Sequence, residues 1–160
     1  MTYQFDVMTQ EQAEHIAYKW HYDGIYSFYD MEADQEDLAE FLDSNKRGYS
    51  MFAVTKENDL VGFFSANQVG EDNVDIGFGM RPDLTGRGYG YHFLQTGLEF
   101  VIEIYHPKII TLSVATFNQR AIKLYKKLGF KEVQTFMQNT NGGEYEFLKM
   151  DYTFGLTENE

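Results

Sequence analysis

The stretch of this 160-residue chain with the plainest chemical capacity is Arg81-Pro82-Asp83-Leu84-Thr85-Gly86-Arg87-Gly88-Tyr89-Gly90, set between a strand pattern and a helix pattern. Glycines let a main chain approach a phosphate closely, and the unpaired N–H groups and dipole of the following helix supply positive partial charge. Between Lys56 and Lys108 the only Lys or Arg residues are Arg81 and Arg87, and both flank this loop. An anion is the expected ligand; the competing reading is a solvated turn. Spacing narrows the anion further. A dinucleotide fingerprint G-x-G-x-x-G begun at Gly86 or Gly88 needs glycine at Tyr91 or Phe93, and a Walker loop needs Gly-Lys, a pair absent from the chain. What remains is x-x-G-x-G. Other common chemistries lack their residues: there is no cysteine, His15, His21, His92 and His106 show no H-E-x-x-H or other ligand spacing, and no serine sits in G-x-S-x-G. The sequence assigns no metal.

The elements that must hold this loop follow from hydrophobic period and caps. Residues 2–8 alternate as a short strand, and Thr9 with Gln12 forms a capping box ahead of a helix that turns Ala13, Ile16, Ala17 and Trp20 inward. Asp34 caps a second helix carrying Leu38, Phe41 and Leu42 and ending at Asn45 and Gly48. From Tyr49 the period changes to that of strands, expected at 50–55, 60–69 and 73–80 as an antiparallel meander. Past the loop, Phe93, Leu94, Leu98, Val101, Ile102 and Tyr105 mark one face of a long helix stopped by His106-Pro107. Ile109 to Ala115 reads as a buried strand, and Asn118 then caps a helix with Ala121, Ile122, Tyr125 and Leu128, closed by Gly129. Strands at 130–138 and 144–153 flank Asn139-Thr140-Asn141-Gly142-Gly143. The order βααβββαβαββ predicts a single α/β (α+β) domain over 1–153, a mixed and mostly antiparallel sheet with helices on both faces, and a C-terminal tail over 154–160.

Two blocks in this order resemble the GNAT superfamily of acyl-CoA-dependent N-acetyltransferases. Thr85-Gly86-Arg87-Gly88-Tyr89-Gly90 is similar to the family's pyrophosphate loop, Gln or Arg followed by x-x-G-x-G, with Thr85 standing where the family has a long side chain. Asn118-Gln119-Arg120-Ala121-Ile122-Lys123-Leu124-Tyr125-Lys126-Lys127-Leu128-Gly129-Phe130 resembles the second block. The resemblance implies acetyl-CoA as acyl donor, bound by residues 85–90, by main-chain groups of Phe78, Gly79 and Met80 pairing with the pantetheine amides, and by the Asn118 side chain, itself also a helix N-cap. It further implies that the Tyr125 hydroxyl protonates the departing thiolate, and that a carboxylate on the preceding strand, here Asp75 before Ile76, accepts the proton of the amine.

Each implied role has a competitor. Tyr125 falls in register with Ala121, Ile122 and Leu128 and so also reads as a core residue. Asp75, Gly77 and Gly79 share one strand face, leaving substrate space beside the carboxylate, yet Asp75 is short enough to need an intervening water, and Glu146 or water alone are the other candidate bases. Arg120, Lys123, Lys126, Lys127 and Lys131 gather near the expected adenosine end, where a contact to the 3′-phosphate competes with a solvated basic face, which accounts for most of them. The acceptor is an amine-bearing small molecule or polypeptide. An aromatic run (Tyr18, Trp20, His21, Tyr22, Tyr26, Phe28, Tyr29) leads into seven acids between Asp30 and Asp43; it suits a cationic acceptor, but a core with an acidic solvated helix is the stronger reading.

Composition bounds the class. Thirteen Lys and Arg against 25 Asp and Glu give a net charge of −12, which disfavours nucleic acid as a partner. Apolar runs are short and the first residues lack a basic, apolar leader pattern, so a cytoplasmic protein without membrane association is expected, as monomer or homodimer. The expected activity is N-acetyl transfer from acetyl-CoA to a primary amine. The alternative is a catalytically silent acyl-CoA-binding sensor or interaction module with the same fold.

Overall fold

Thr9 begins the helical part of the chain as the sequence requires: Gln12 N–H donates to Thr9 Oγ1 at 3.1 Å, and Thr9 N–H to Gln12 Oε1 at 2.9 Å. In the computed structural model, which describes residues 2–153, this box separates β1 (Gln4–Val7) from α1 (Gln10–Lys19). The tail expected at 154–160 lies outside the described residues. Between α1 and α2 (Gln35–Leu42), the chain forms 3₁₀ turns at Gly24–Tyr29 and Met31–Ala33, which no period in the sequence announces. The second helix is also shorter than expected. Asp43 turns extended and its carboxylate accepts the Asn45 N–H, starting a separate short helix, α3 (Ser44–Arg47). Asp competes for backbone donors in this way wherever a new first turn is available. Arg47 fastens the helices, donating from Nη1 to Phe41 O at 2.6 Å and from Nη2 to Gln10 Oε1 at 2.8 Å.

The remaining elements are β2 (Met51–Lys56), β3 (Asp59–Val69), β4 (Asn73–Met80), α4 (Gly90–Tyr105), β5 (Ile109–Ala115), α5 (Gln119–Leu128), β6 (Lys131–Thr140) and β7 (Gly143–Thr153). They make one seven-stranded sheet in the order β1-β2-β3-β4-β5-β7-β6, antiparallel everywhere except β4 beside β5. Strand alternation sends Phe52, Val54, Phe64, Val74 and Ile76 to the face covered by α4 and α5. It sends Ala53, Met51 and Phe63 to the face covered by α1 and α2, with Trp20 and Phe41. Helices therefore lie on both faces. Among the described residues no helix is long and apolar enough to cross a membrane.

Gly97 shows how closely α4 sits on the sheet, because a Cβ there would fall into the Phe64 ring. Phe64 is fully buried and has no room to swing aside. Gly97→Ala should therefore destabilise the fold by about 1–3 kcal/mol, the usual cost of overpacking, despite the better helix propensity of alanine. Thermal unfolding would register this as a fall of roughly 2–12 °C in Tm for a domain of this size. An unchanged Tm would mean that α4 slides at no cost.

Candidate active site

The site exists because a parallel pair of strands comes apart. β4 and β5 pair only at Asn73 with Ile109, Val74 with Ile110 and Asp75 with Thr111. Beyond that last rung β4 continues to Met80 with β3 as its one partner, and a cavity of about 630 Å³ opens between 76–80 and 112–114. That is room for a ligand of cofactor size. Arg81 N–H bonds Val61 O at 2.8 Å, and the Gly79 carbonyl faces Gly62, so alternation aims the main-chain groups of Phe78 and Met80 into the cleft. Tyr22 Oη donates to Met80 O at 2.7 Å. At Phe78 the open edge is available for an extended ligand.

The glycine loop closes one end. Gly86 and Gly88 have φ of +73° and +86°, conformations that side-chain-bearing residues avoid, which bends the chain into the start of α4. Thr85, Gly86, Gly88 and Gly90 line the cavity, whereas Arg87 and Tyr89 do not. Nor does Arg81: its Nε and Nη2 bind Asp83 at 2.7 and 3.3 Å, and Nη1 donates to Leu60 O at 3.2 Å. The Asp83 partner holds the Arg81 guanidinium above its ordinary pKa and the Asp83 carboxyl below its own. Among the described residues, the cations that line the cavity come instead from α5, Arg120 and Lys127, whose spacing does not separate them from a solvated face.

Asn118 joins the two sides of the site. Its Oδ1 accepts Ala121 N–H at 3.1 Å, capping α5 as expected, while Nδ2 donates to Tyr29 Oη at 3.1 Å. Tyr125, two turns along the same helix, is 9% exposed and packs edge-on against Phe78 with ring centroids 5.8 Å apart. Burial, then the neighbouring Tyr29, pushes its phenol well above the ordinary tyrosine pKa, with Arg120 opposing. Tyr125 is therefore protonated throughout the neutral range and lines the cavity.

Asp75 sits at the apex of the split, outside the cavity lining, with Oδ1 accepting from Thr111 Oγ1 at 2.7 Å. Glu146 lies apart as well, its Oε1 accepting from Thr116 Oγ1 at 3.2 Å. Among the described residues, no Asp or Glu lines the cavity. The space expected beside Gly77 and Gly79 is also partly taken: a Cβ at Gly79 would lie 2.7 Å from the Phe63 ring, and one at Gly77 would lie 3.0 Å from Ser65 Oγ.

The facing wall is aromatic. Tyr22, just ahead of the 3₁₀ turns, and Tyr26, Tyr29 and Met31 within them line the cavity, whereas Trp20 is buried in the core and Phe28 packs with Phe117, Tyr145 and Phe147. The aromatic run thus divides between wall and core. Asp30 ties the segment down, accepting Tyr22 N–H at 2.8 Å and facing His21 Nδ1 at 3.2 Å, while His21 Nε2 faces Tyr18 O at 3.0 Å. The Asp30 bond and then the Tyr18 carbonyl hold the His21 pKa above that of free imidazole. Because the folded-state value is the raised one, this fastening is complete below the ordinary imidazole pKa and is lost as pH rises through the raised value.

Residues 14–130, well over half of the chain, match the model of the acetyltransferase (GNAT) family. A curated N-alpha-acetyltransferase from Sulfurisphaera tokodaii is 39% identical over 61 residues, an alignment covering 38% of this chain and 36% of that protein's length. Among solved structures, a chimera of the spermidine N-acetyltransferase SpeG from Vibrio cholerae and hSSAT superposes with a TM-score of 0.74 at 17% identity, covering 96% of each chain. A GNAT-family acetyltransferase from Bacillus anthracis gives 0.72 at 16%, covering 96% of this chain and 95% of the other. At such identities the likeness concerns the fold.

Proposed function

Because the chain belongs to the acetyltransferase (GNAT) family, we propose that it transfers the acetyl group of acetyl-CoA directly to a primary amine, and that the amine it favours is an α-amine. The observation that carries the acceptor class is the absence of any carboxylate lining the cavity among the described residues of a chain with 25 acids. An amine attacks only when neutral. At pH 7 a lysine-like amine of pKa near 10.4 is neutral in about one molecule in 2,500, whereas an α-amine of pKa near 7.7 to 8 is neutral in roughly one in ten or more. A site with no base in direct contact gains most from the second. A polyamine is disfavoured on the same ground, since among the described residues no acid lines the cavity to meet a polycation. The name of the curated relative supports the same class.

In this reading the thioester enters along the open edge of β4, where the main chain of Phe78 can pair with an extended amide chain and Asn118 borders its path. Residues 85–90 cradle the pyrophosphate. The reacting carbon lies between Tyr125 and the aromatic wall; Tyr125 gives its proton to the departing thiolate, and a water relayed from Asp75 at the apex takes the proton of the amine. The lack of cysteine supports transfer in one step, without an acyl-enzyme.

The test is a pH–rate comparison of peptides offering either a free α-amine or a lysine ε-amine. At pH 7 the α-amine should react on the order of 10²-fold faster, with the gap narrowing as pH rises toward the lysine pKa. Asp75→Asn should slow the ε-amine more than the α-amine. Equal rates for both classes at pH 7 would remove the preference, and an Asp75→Asn profile unchanged for both would move the base to water alone.

A further inference from the structure

The glycine loop holds few side-chain donors that are free to meet an anion. Arg81 is engaged by Asp83 and by the Leu60 carbonyl, the Thr85 hydroxyl donates to Pro82 O at 2.7 Å, and Arg87 lies outside the cavity lining. A chain of net charge −12 would then meet a pyrophosphate with backbone N–H groups alone. One guanidinium relieves this. Arg120, on the first turn of α5, lines the cavity and reaches the loop: a Cβ at Gly86 would lie 3.1 Å from its Nη1. The same guanidinium lies over the Tyr26 ring, 4.4 Å from the centroid. The other lining cation, Lys127, lies over the Tyr91 ring at 5.4 Å and roughly 10 Å further along the helix axis.

We propose that Arg120 is the side chain that binds the pyrophosphate of the acyl donor, and that Tyr26 is the positioning residue that holds its guanidinium at Gly86. The assignment rests on the reading of this cavity as the acetyl-CoA site and deepens it. A guanidinium suits the task because its planar fork meets two phosphate oxygens at once and its stacked face keeps it preorganised. Tyr26 belongs to the aromatic wall, so the same contact links the acceptor side of the cavity to the cofactor side. Gly86 gains a second reason to be glycine, since a side chain there would displace the arginine.

Calorimetry with coenzyme A, with dephospho-coenzyme A, which keeps the pyrophosphate and lacks the ribose 3′-phosphate, and with pantetheine, which lacks both, tests this on the full chain. Arg120→Ala should weaken coenzyme A and dephospho-coenzyme A alike by about 10- to 100-fold, the loss of a charge-assisted bidentate contact, and leave pantetheine unchanged; a loss for coenzyme A alone would move Arg120 to the 3′-phosphate. Arg120→Lys should fall between wild type and Arg120→Ala. Tyr26→Leu should weaken coenzyme A by a smaller factor, and should have no further effect when combined with Arg120→Ala. Unchanged coenzyme A affinity in Arg120→Ala, or an equal loss for pantetheine, would overturn the assignment; so would an independent, additive loss from Tyr26→Leu. Wild-type protein that binds none of these compounds would overturn the acetyl-CoA reading itself, and this assignment with it.

Discussion

Tyr125→Phe should lower turnover by about 10²- to 10⁴-fold while leaving acetyl-CoA affinity nearly unchanged, the range that general acid catalysis typically supplies. The substitution keeps the ring, and with it the edge-on contact to Phe78 and the packing against Phe130, whose centroid is 6.2 Å away. It removes the hydroxyl of a residue that lines the cavity, a hydroxyl that burial keeps protonated at neutral pH. The departing thiolate would then have to leave as the anion or find water in a largely apolar pocket. Turnover, cofactor affinity and melting temperature measured on one preparation separate this role from a packing role. Near-normal turnover with a lowered Tm would make Tyr125 a core residue.

Gly88→Glu should remove acetyl-CoA binding in practice, weakening it by at least 10²-fold. No heavy atom lies within 4 Å of a Cβ at Gly88, so the added side chain meets open space at a residue that itself lines the cavity. Two effects follow. A non-glycine residue at φ +86° costs of order 1–2 kcal/mol in stability, which lowers Tm without unfolding a domain of this size. A carboxylate held beside the pyrophosphate path adds repulsion of about 4 kcal/mol at 4 Å under near-surface screening. Gly88→Ala carries the strain without the charge and should keep most of the affinity. If Ala and Glu weaken binding equally, backbone shape rather than charge governs the loop.

Local signals carried much of this structure. The apolar run Ile109–Ala115 is the strand it reads as, and Asn118 caps α5 because an Asn ahead of an amphipathic segment has few better uses. Gly86 and Gly88 adopt the conformations their residue type suggests. Non-local relations were not legible. Nothing in the alternation of 73–80 or 109–115 says that β4 and β5 separate after Asp75, since both strands stay apolar past the split. The Tyr29–Asn118 bond spans 89 positions, and the approach of Arg120 to Gly86 depends on how α5 is rotated against the loop, a tertiary quantity. The pairing of Arg81 with Asp83 was legible: Arg81-Pro82-Asp83 places an acid two residues from an arginine across a proline-initiated turn, and their pairing takes that charge away from the cavity.

The most direct measurement is amine-dependent release of coenzyme A from acetyl-CoA, followed with a thiol reagent and paired with the mass of the amine product. The chain contains no thiol, so every reactive thiol formed is coenzyme A. The expected result is release that requires an amine, matches acetylated product one to one, and is fastest with α-amines at pH 7. Acetyl-CoA binding without amine-dependent release across α-amines, ε-amines and polyamines would contradict it, and would make the protein a silent acyl-CoA-binding module.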